Sequence, residues 1–240
     1  MAFSDSSLPL CALHTRSAKG VKFASTLTEE NFTVLEGIIK KNLRQYTDDD
    51  LKGQYYSLAT DMPQEERDVI TSHFLRNDRH LDMKHAGGTK HWPTGRGVYR
   101  NYNKRFMVLV NIEDHMRFES MEDGSDVGKV LDRLNKGLRG FVSQIQFLRN
   151  AHLGWLTCSP INLGSTVRAS VKIRLPKLTS NGRIDELCAS LRLKARRLGE
   201  GDGTVYIISN KIIMGIFEHA AVMQMYKGVR ELIRMEREAM

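Results

Sequence analysis

The clearest hydrophobic rhythm in the chain begins at Val127. Val127, Val130, Leu131, Leu134, Phe141, Ile145 and Leu148 recur at helical spacing among polar residues and predict an amphipathic helix with one buried face. A second helical pattern runs through Phe32, Leu35, Ile38, Ile39 and Leu43, and Thr26-Leu27-Thr28-Glu29 before it reads as a capping box. Asp61-Met62-Pro63 opens a third helix, with proline in the first turn where its missing N–H does no harm. Residues 184–192 and 216–238 supply two more. Strand-like stretches cover Gly97–Arg100, Arg105–Glu113, 117–122, Trp155–Cys158, Thr166–Arg174 and 204–208. In Thr166–Arg174 the alternation is strict: Val167, Ala169, Val171 and Ile173 point one way, and Arg168, Ser170, Lys172 and Arg174 the other. Strands clustered between helices predict an α+β fold, an antiparallel β-sheet flanked by helices, in place of a doubly wound parallel sheet. Residues 77–96 and 199–203 read as loops, and the Ser-rich, aperiodic residues 1–26 as a poorly ordered lead-in to one domain over 27–240.

Composition narrows the class. With 41% hydrophobic and 8% aromatic residues among 240, the chain can bury one sizeable core. It has no run of 18 apolar residues and no basic-then-apolar leader, so neither a membrane span nor a secretory signal is expected. Cys11, Cys158 and Cys188 lack metal-ligand spacing, which points to a reducing compartment, no metal site and a cytoplasmic location. A mitochondrial location is the alternative, because Asp5 is the sole acid in the first 28 residues, beside Arg16, Lys19 and Lys22. The formal net charge of +8 suits an anionic partner. The cations are spread along the chain with no arm or aromatic-interleaved patch, which favours a pocket for a small polyanion over nucleic acid.

Four stretches carry more specific information. They are Trp92-Pro93-Thr94-Gly95-Arg96-Gly97, Asn111-Ile112-Glu113-Asp114-His115-Met116-Arg117, Cys158-Ser159-Pro160-Ile161-Asn162-Leu163-Gly164 and Thr166-Val167-Arg168-Ala169-Ser170-Val171, with Ile208-Ser209-Asn210-Lys211 as a fifth. In content, order and spacing they resemble the catalytic domain of the phosphagen (ATP:guanidino) kinases. Thr166–Val171 followed by Leu175-Pro176-Lys177-Leu178 is closest to the arginine kinase branch. The resemblance runs from about residue 27 to the end, and the family's small helical N-terminal domain has no counterpart in it.

The resemblance implies a guanidino kinase/glutamine synthetase-like catalytic domain, an eight-stranded antiparallel sheet with MgATP or MgADP lying across it. It also implies reversible γ-phosphoryl transfer to a guanidino compound, arginine above all, and a protein that can form homo-oligomers. Such transfer asks for cations around the phosphates and a carboxylate to hold the guanidinium and take its proton. Glu113 matches the base, Cys158 the thiol beside the guanidinium, and Arg117 and Arg168 two phosphate arginines. Arg197, with Arg196 as the alternative, matches a third. Ser170, Lys172 and Arg100 match positions near the nucleotide, Arg100 and Lys172 replacing histidines.

Departures from the family pattern are equally specific. A Ser-Thr-Arg-Val-Arg segment that grips phosphates aligns without gaps on Pro9-Leu10-Cys11-Ala12-Leu13, losing both arginines. With a deletion it aligns on His14-Thr15-Arg16-Ser17-Ala18, keeping Arg16. Ile112 replaces an acid, Leu109 a tryptophan and Ile207 an aspartate. The loop after Arg197 is shorter than the family's and holds its second catalytic carboxylate, for which Glu200 is the stand-in. The implied activity is therefore reduced, or replaced by nucleotide or partner binding without turnover.

Overall fold

A computed structural model describes residues 9–239 except 61, 76–83, 86, 125 and 200–201, and leaves the side chains of 72–75 undescribed. In chain order the elements are β1 (Pro9–Arg16), α1 (Glu29–Leu43), β2 (Gly53–Ser57), α2 (Gln64–Leu75), β3 (Gly97–Asn101), β4 (Phe106–Val110), β5 (Met116–Asp123) and α3 (Val127–Val142). There follow β6 (Arg149–Asn150), β7 (Gly154–Trp155), β8 (Arg168–Arg174), α4 (Pro176–Ser180), α5 (Ile184–Ser190), β9 (Leu193–Arg197), β10 (Val205–Asn210) and α6 (Glu218–Glu238). Eight strands form one antiparallel sheet in the order β2-β3-β4-β5-β1-β8-β10-β9, and β6 and β7 make a separate hairpin. Among the described residues no helix is long and apolar enough to cross a membrane.

The expected α+β antiparallel architecture is what the chain forms, but the lead-in over 1–26 needs correction from residue 9 onward, residues 1–8 lying outside the described residues. Pro9–Arg16 is a central strand, paired along its whole length with β5 and from Leu10 to Leu13 with β8. Its residues from Ala12 to Arg16 are all buried, so the strand shows no polar alternation in sequence.

All the helices except α2 cover one face of the sheet. Leu10 and Ala12 of β1 pack there with Leu35 and Ile39 of α1, Leu134 and Phe141 of α3, and Val222 and Val229 of α6. Phe141 and Phe118 meet edge to face with centroids 5.2 Å apart. Thr28 caps α1 by accepting the Asn31 N–H at 3.2 Å, two residues beyond Thr26, which the Thr26–Glu29 capping box makes the N-cap. Gly137 permits the close approach of α3, since a Cβ there would lie 2.4 Å from the Phe106 ring. The α1 stripe is narrower than its apolar residues suggest, because Ile38 stays 46% exposed. Helix α3 stops at Val142, yet Ile145 beyond it still joins the core.

On the opposite face, Met62 and Ile70 cover Val98, Met107 and Leu109 at the β2–β4 end. The face from β5 through β1 to β9 is the one where the polar side of β8 lies.

Candidate functional site

The site begins with the turn between β4 and β5. Asn111 takes a left-handed conformation (φ 54°), receives the His115 carbonyl on its N–H at 3.0 Å, and donates its side-chain amide to Gly95 O at 2.7 Å. The turn leaves Glu113 11% exposed while Asp114 and His115 are buried. The Asp114 carboxylate accepts the Cys158 N–H, and accepts from Asn162 Nδ2 at 3.1 Å. Burial, then the neighbouring Glu113, pushes Asp114 up to about 7. His115 Nδ1 accepts the Ala18 N–H at 3.0 Å, so its proton sits on Nε2, 2.9 Å from Lys22 O. Burial lowers its pKa and keeps it neutral. Glu113 therefore faces the site while its two neighbours strap the Cys158 loop and the β1–α1 connection around it.

Register places the cations. Across β1, Thr15 lies opposite Arg117, and Leu13 lies opposite both Glu119 and Arg168. Cys11 faces Ser170, and Ser170 and Lys172 face Ser209 and Ile207 of β10, which in turn face Lys194 and Arg196 of β9. Directly opposed residues share a face. Arg117, Arg168, Ser170, Lys172, Lys194 and Arg196 thus line one side of the sheet, with Lys172, Lys194 and Arg196 exposed. Asn210 holds β8 in place, accepting from Ala169 N at 2.9 Å and donating to Val167 O at 3.0 Å. The buried Arg96 organises the Trp92–Gly97 motif, donating to four carbonyls between Gly88 and Thr94 while its guanidinium lies 4.1 Å from the Phe32 centroid.

Two carboxylates engage Arg117. Its Nε is 2.6 Å from Glu119 Oε1, and its Nη1 is 3.8 Å from Glu113 Oε2. Burial opposes the charge on Arg117 most strongly, yet Glu119 and Glu113 outweigh it and raise the pKa. A sheet face rich in cations beside one carboxylate at the end of a turn can seat a polyphosphate and, next to it, a cationic nucleophile.

The comparisons with known proteins agree with that geometry. The family description "ATP:guanido phosphotransferase, C-terminal catalytic domain" matches residues 34–239. The chain belongs to this family of phosphagen kinases. It is 40% identical over 228 residues to a probable arginine kinase of Caenorhabditis elegans, which covers 93% of this chain and 63% of that relative. The arginine kinase of Liolophura japonica is also 40% identical over 228 residues, covering 93% and 65%. The substrate-free duplicated taurocyamine kinase of Schistosoma mansoni superposes with a TM-score of 0.89 at 32% identity, covering 98% of this chain and 35% of that one. Lombricine kinase superposes with a TM-score of 0.87 at 30% identity, covering 97% and 66%. This phosphagen kinase chain spans just under two thirds of the length of the arginine kinases it matches.

Within the phosphagen kinase fold, two expected nucleotide contacts, Arg16 and Arg197, lie on the other side of the sheet, and a third, Arg100, stays on the site face but is taken up by α2. Arg16 shares the helix-covered face of Leu10 and Ala12, where it is buried, 4.2 Å from the Trp155 ring, and donates to Thr166 Oγ1 at 2.5 Å and Glu218 Oε1 at 2.7 Å. Its pKa is lowered to about 10 by burial, partly offset by Glu218. Cys11 and Leu13, the residues of the gapless alignment, occupy site-facing positions of β1 opposite Ser170 and Arg168. Arg100 shares the face of Met107 but is tied at 3.2 Å to both Glu65 and Glu66 of α2. Arg197 lies opposite Tyr206, a core residue, and donates through Nε to Gly203 O at 2.5 Å; the alternative, Arg196, has the site-facing parity. Glu200 lies outside the described residues.

Glu119 was not singled out from sequence, and Asp114 only as a fallback for the base. The signal for Glu119 was available, because a strand over 117–122 puts Glu119 on the face of Arg117. Asp114 became legible only through its long-range bond to the Cys158 loop.

Burial, then Asp114, raises the Cys158 pKa, although the Ser25 and Ala24 backbones pull the other way. The thiol packs against the cluster of Ala24, Leu27 and Phe32. Burial raises Cys11 to about 12, with Glu119 contributing, and Cys188 to about 11. Alkylation by iodoacetamide, followed by peptide mass spectrometry, is expected to modify Cys158 first, faster as pH rises, and more slowly with arginine and MgADP present. First modification at Cys11 or Cys188 would remove Cys158 from the site.

Proposed function

We propose that this chain transfers the γ-phosphoryl group of MgATP reversibly to a guanidinium nitrogen, with arginine as the guanidino substrate, and does so slowly. The observation that carries the reading is Glu113, a partly exposed carboxylate beside Arg117 and the Cys158 loop at the end of a cationic sheet face. In the forward direction Glu113 binds the guanidinium and takes one of its protons. The freed nitrogen lone pair forms the N–P bond as the bond from the γ-phosphorus to the bridging oxygen breaks, and ADP leaves with that electron pair. Arg117 and Arg168 hold the phosphates, with Lys172 and Arg196 adding positive charge from the open end and Ser170 a hydroxyl between them.

Slowness follows from three features. Cys11 and Leu13 offer no cation on the central strand, Arg117 already has a carboxylate at 2.6 Å, and Arg16 is withdrawn behind the sheet. Loss of one donor that stabilises transition-state charge lowers rate by ~10²–10³. A coupled assay with MgATP and arginine is expected to give turnover at least ~10²-fold below that of an arginine kinase retaining both arginines of its Ser-Thr-Arg-Val-Arg segment. Turnover equal to such an enzyme would contradict the assignment of Cys11 and Leu13. The second reading is nucleotide binding without turnover, and the Arg117–Glu119 pair favours it because it pre-empts a phosphate ligand. Nucleotide-induced stabilisation with no phosphoarginine formed would select that reading.

A further inference from the structure

Two loop segments, around the β6–β7 hairpin and just before α6, bring three large apolar side chains to the surface together. Phe217 is 82% exposed, Met214 49% and Leu153 44%. The segments that carry them pack backbone to backbone: a Cβ on Gly154 would lie 2.6 Å from Gly164 O, and one on Gly164 2.8 Å from Met214 Cα. Leu153 and Phe217 stand at the mouth of a cavity of about 580 Å³, whose wall includes Trp155 and Ile216. Exposed hydrophobics scattered singly need no explanation, but a contiguous patch beside a cavity marks an interaction surface.

Charge on the same patch narrows the partner. Glu218 lines the cavity with its side chain 42% exposed. Arg16 at 2.7 Å and Trp155 Nε1 at 3.1 Å both donate to its Oε1, and Oε2 has no partner among the described residues. Arg149, also on the wall, is exposed and pairs with no carboxylate among the described residues, its guanidinium lying 5.3 Å from the Trp155 centroid. A nucleic acid or an anionic lipid surface would meet the Glu218 carboxylate, and a cationic partner would meet Arg149. A second copy of the same patch suits both. It carries a ring beside a cavity that can take a ring, and a cation beside a carboxylate, so a two-fold axis brings each to its complement.

We propose that this patch is a self-association surface, through which two copies of the chain pair about a two-fold axis. Phe217 of each copy enters the cavity of the other, beside Leu153 and Trp155, and Arg149 of each pairs with Glu218 Oε2 of the other. Phe, Met and Arg, the residue types of Phe217, Met214 and Arg149, are those enriched where proteins meet. The patch is small beside a permanent interface, so the pairing is reversible and depends on concentration.

The test is sedimentation velocity of the full chain from ~1 to ~100 µM, the range in which a reversible contact of this size is read. The weight-average mass is expected to rise from that of one chain toward that of two. Phe217→Ser is expected to move the midpoint to at least ~10-fold higher concentration, the loss of one buried aromatic anchor. Serine is a good helix N-cap, so the substitution does not weaken α6. Arg149→Glu, which sets like charges against each other, is expected to act in the same direction. Val142→Ser removes a side chain that is 62% exposed elsewhere on the surface, and is expected to leave the midpoint unchanged. A single-chain mass at every concentration overturns the proposal. So does a dimer that either patch variant leaves unmoved, a dimer equally weakened by Val142→Ser, or association that continues past two copies, which a closed two-fold contact forbids. None of these outcomes bears on phosphoryl transfer itself.

Discussion

Glu113→Gln is expected to lower phosphoryl transfer to arginine by ~10²–10⁴-fold, the usual contribution of a positioned general base. Glutamine keeps the shape and can still accept a hydrogen bond, but it can neither pair with a guanidinium nor take its proton. MgADP binding should survive, because Arg168 and the open-end cations are untouched. The coupled assay and an MgADP melt on the same preparation separate the two effects. Residual turnover unaffected by the substitution would move the base elsewhere. Asp114 is a poor replacement, since both of its oxygens already accept hydrogen bonds from the Cys158 loop.

The second large effect is expected at Glu119, and it has two opposite signs. Glu119→Gln leaves the half-buried Arg117 without its nearest carboxylate, the buried one at 2.6 Å. Removing one partner of a buried pair destabilises by ~3–5 kcal/mol, so the melting temperature without ligand should fall. The same change frees Arg117 for phosphate and removes a like charge from the face. MgADP affinity is therefore expected to rise by about tenfold or more, the value of one charge-assisted contact. A variant that melts lower and yet gains a larger MgADP-induced shift fits a phosphate site held shut by its own carboxylate. A lower melt with an unchanged or smaller shift would make the pair purely structural.

These expectations rest on elements that were unequally legible. Helix α3 and strand β8 stand out because each has one buried face and one wet face, so periodicity alone defines them. Strand β1 has no wet face from Ala12 to Arg16, where every residue is buried, so Leu10 to His14 carries no alternation to read. Strand β9 was hidden for the opposite reason: at the sheet edge, Lys194, Arg196 and Arg197 look like a loop. Missing β9 also left Arg196 and Arg197 undecided, since only strand parity tells them apart. Glu113, Arg117, Cys158 and Arg168 were singled out because they sit in long motifs. The departures Cys11 and Leu13 became interpretable only when β1 fixed which face they occupy.

The central claim is that the face carrying Arg117 and Arg168 binds a magnesium nucleotide. Thermal denaturation of the wild-type chain and of Arg168→Ala, with and without millimolar MgADP, tests it most directly. Arg168 is partly exposed on the site face of β8, so its removal leaves the core intact. MgADP is expected to raise the wild-type melting temperature and to leave Arg168→Ala unmoved. An unmoved wild-type melt, or an equal rise in both proteins, would contradict the account.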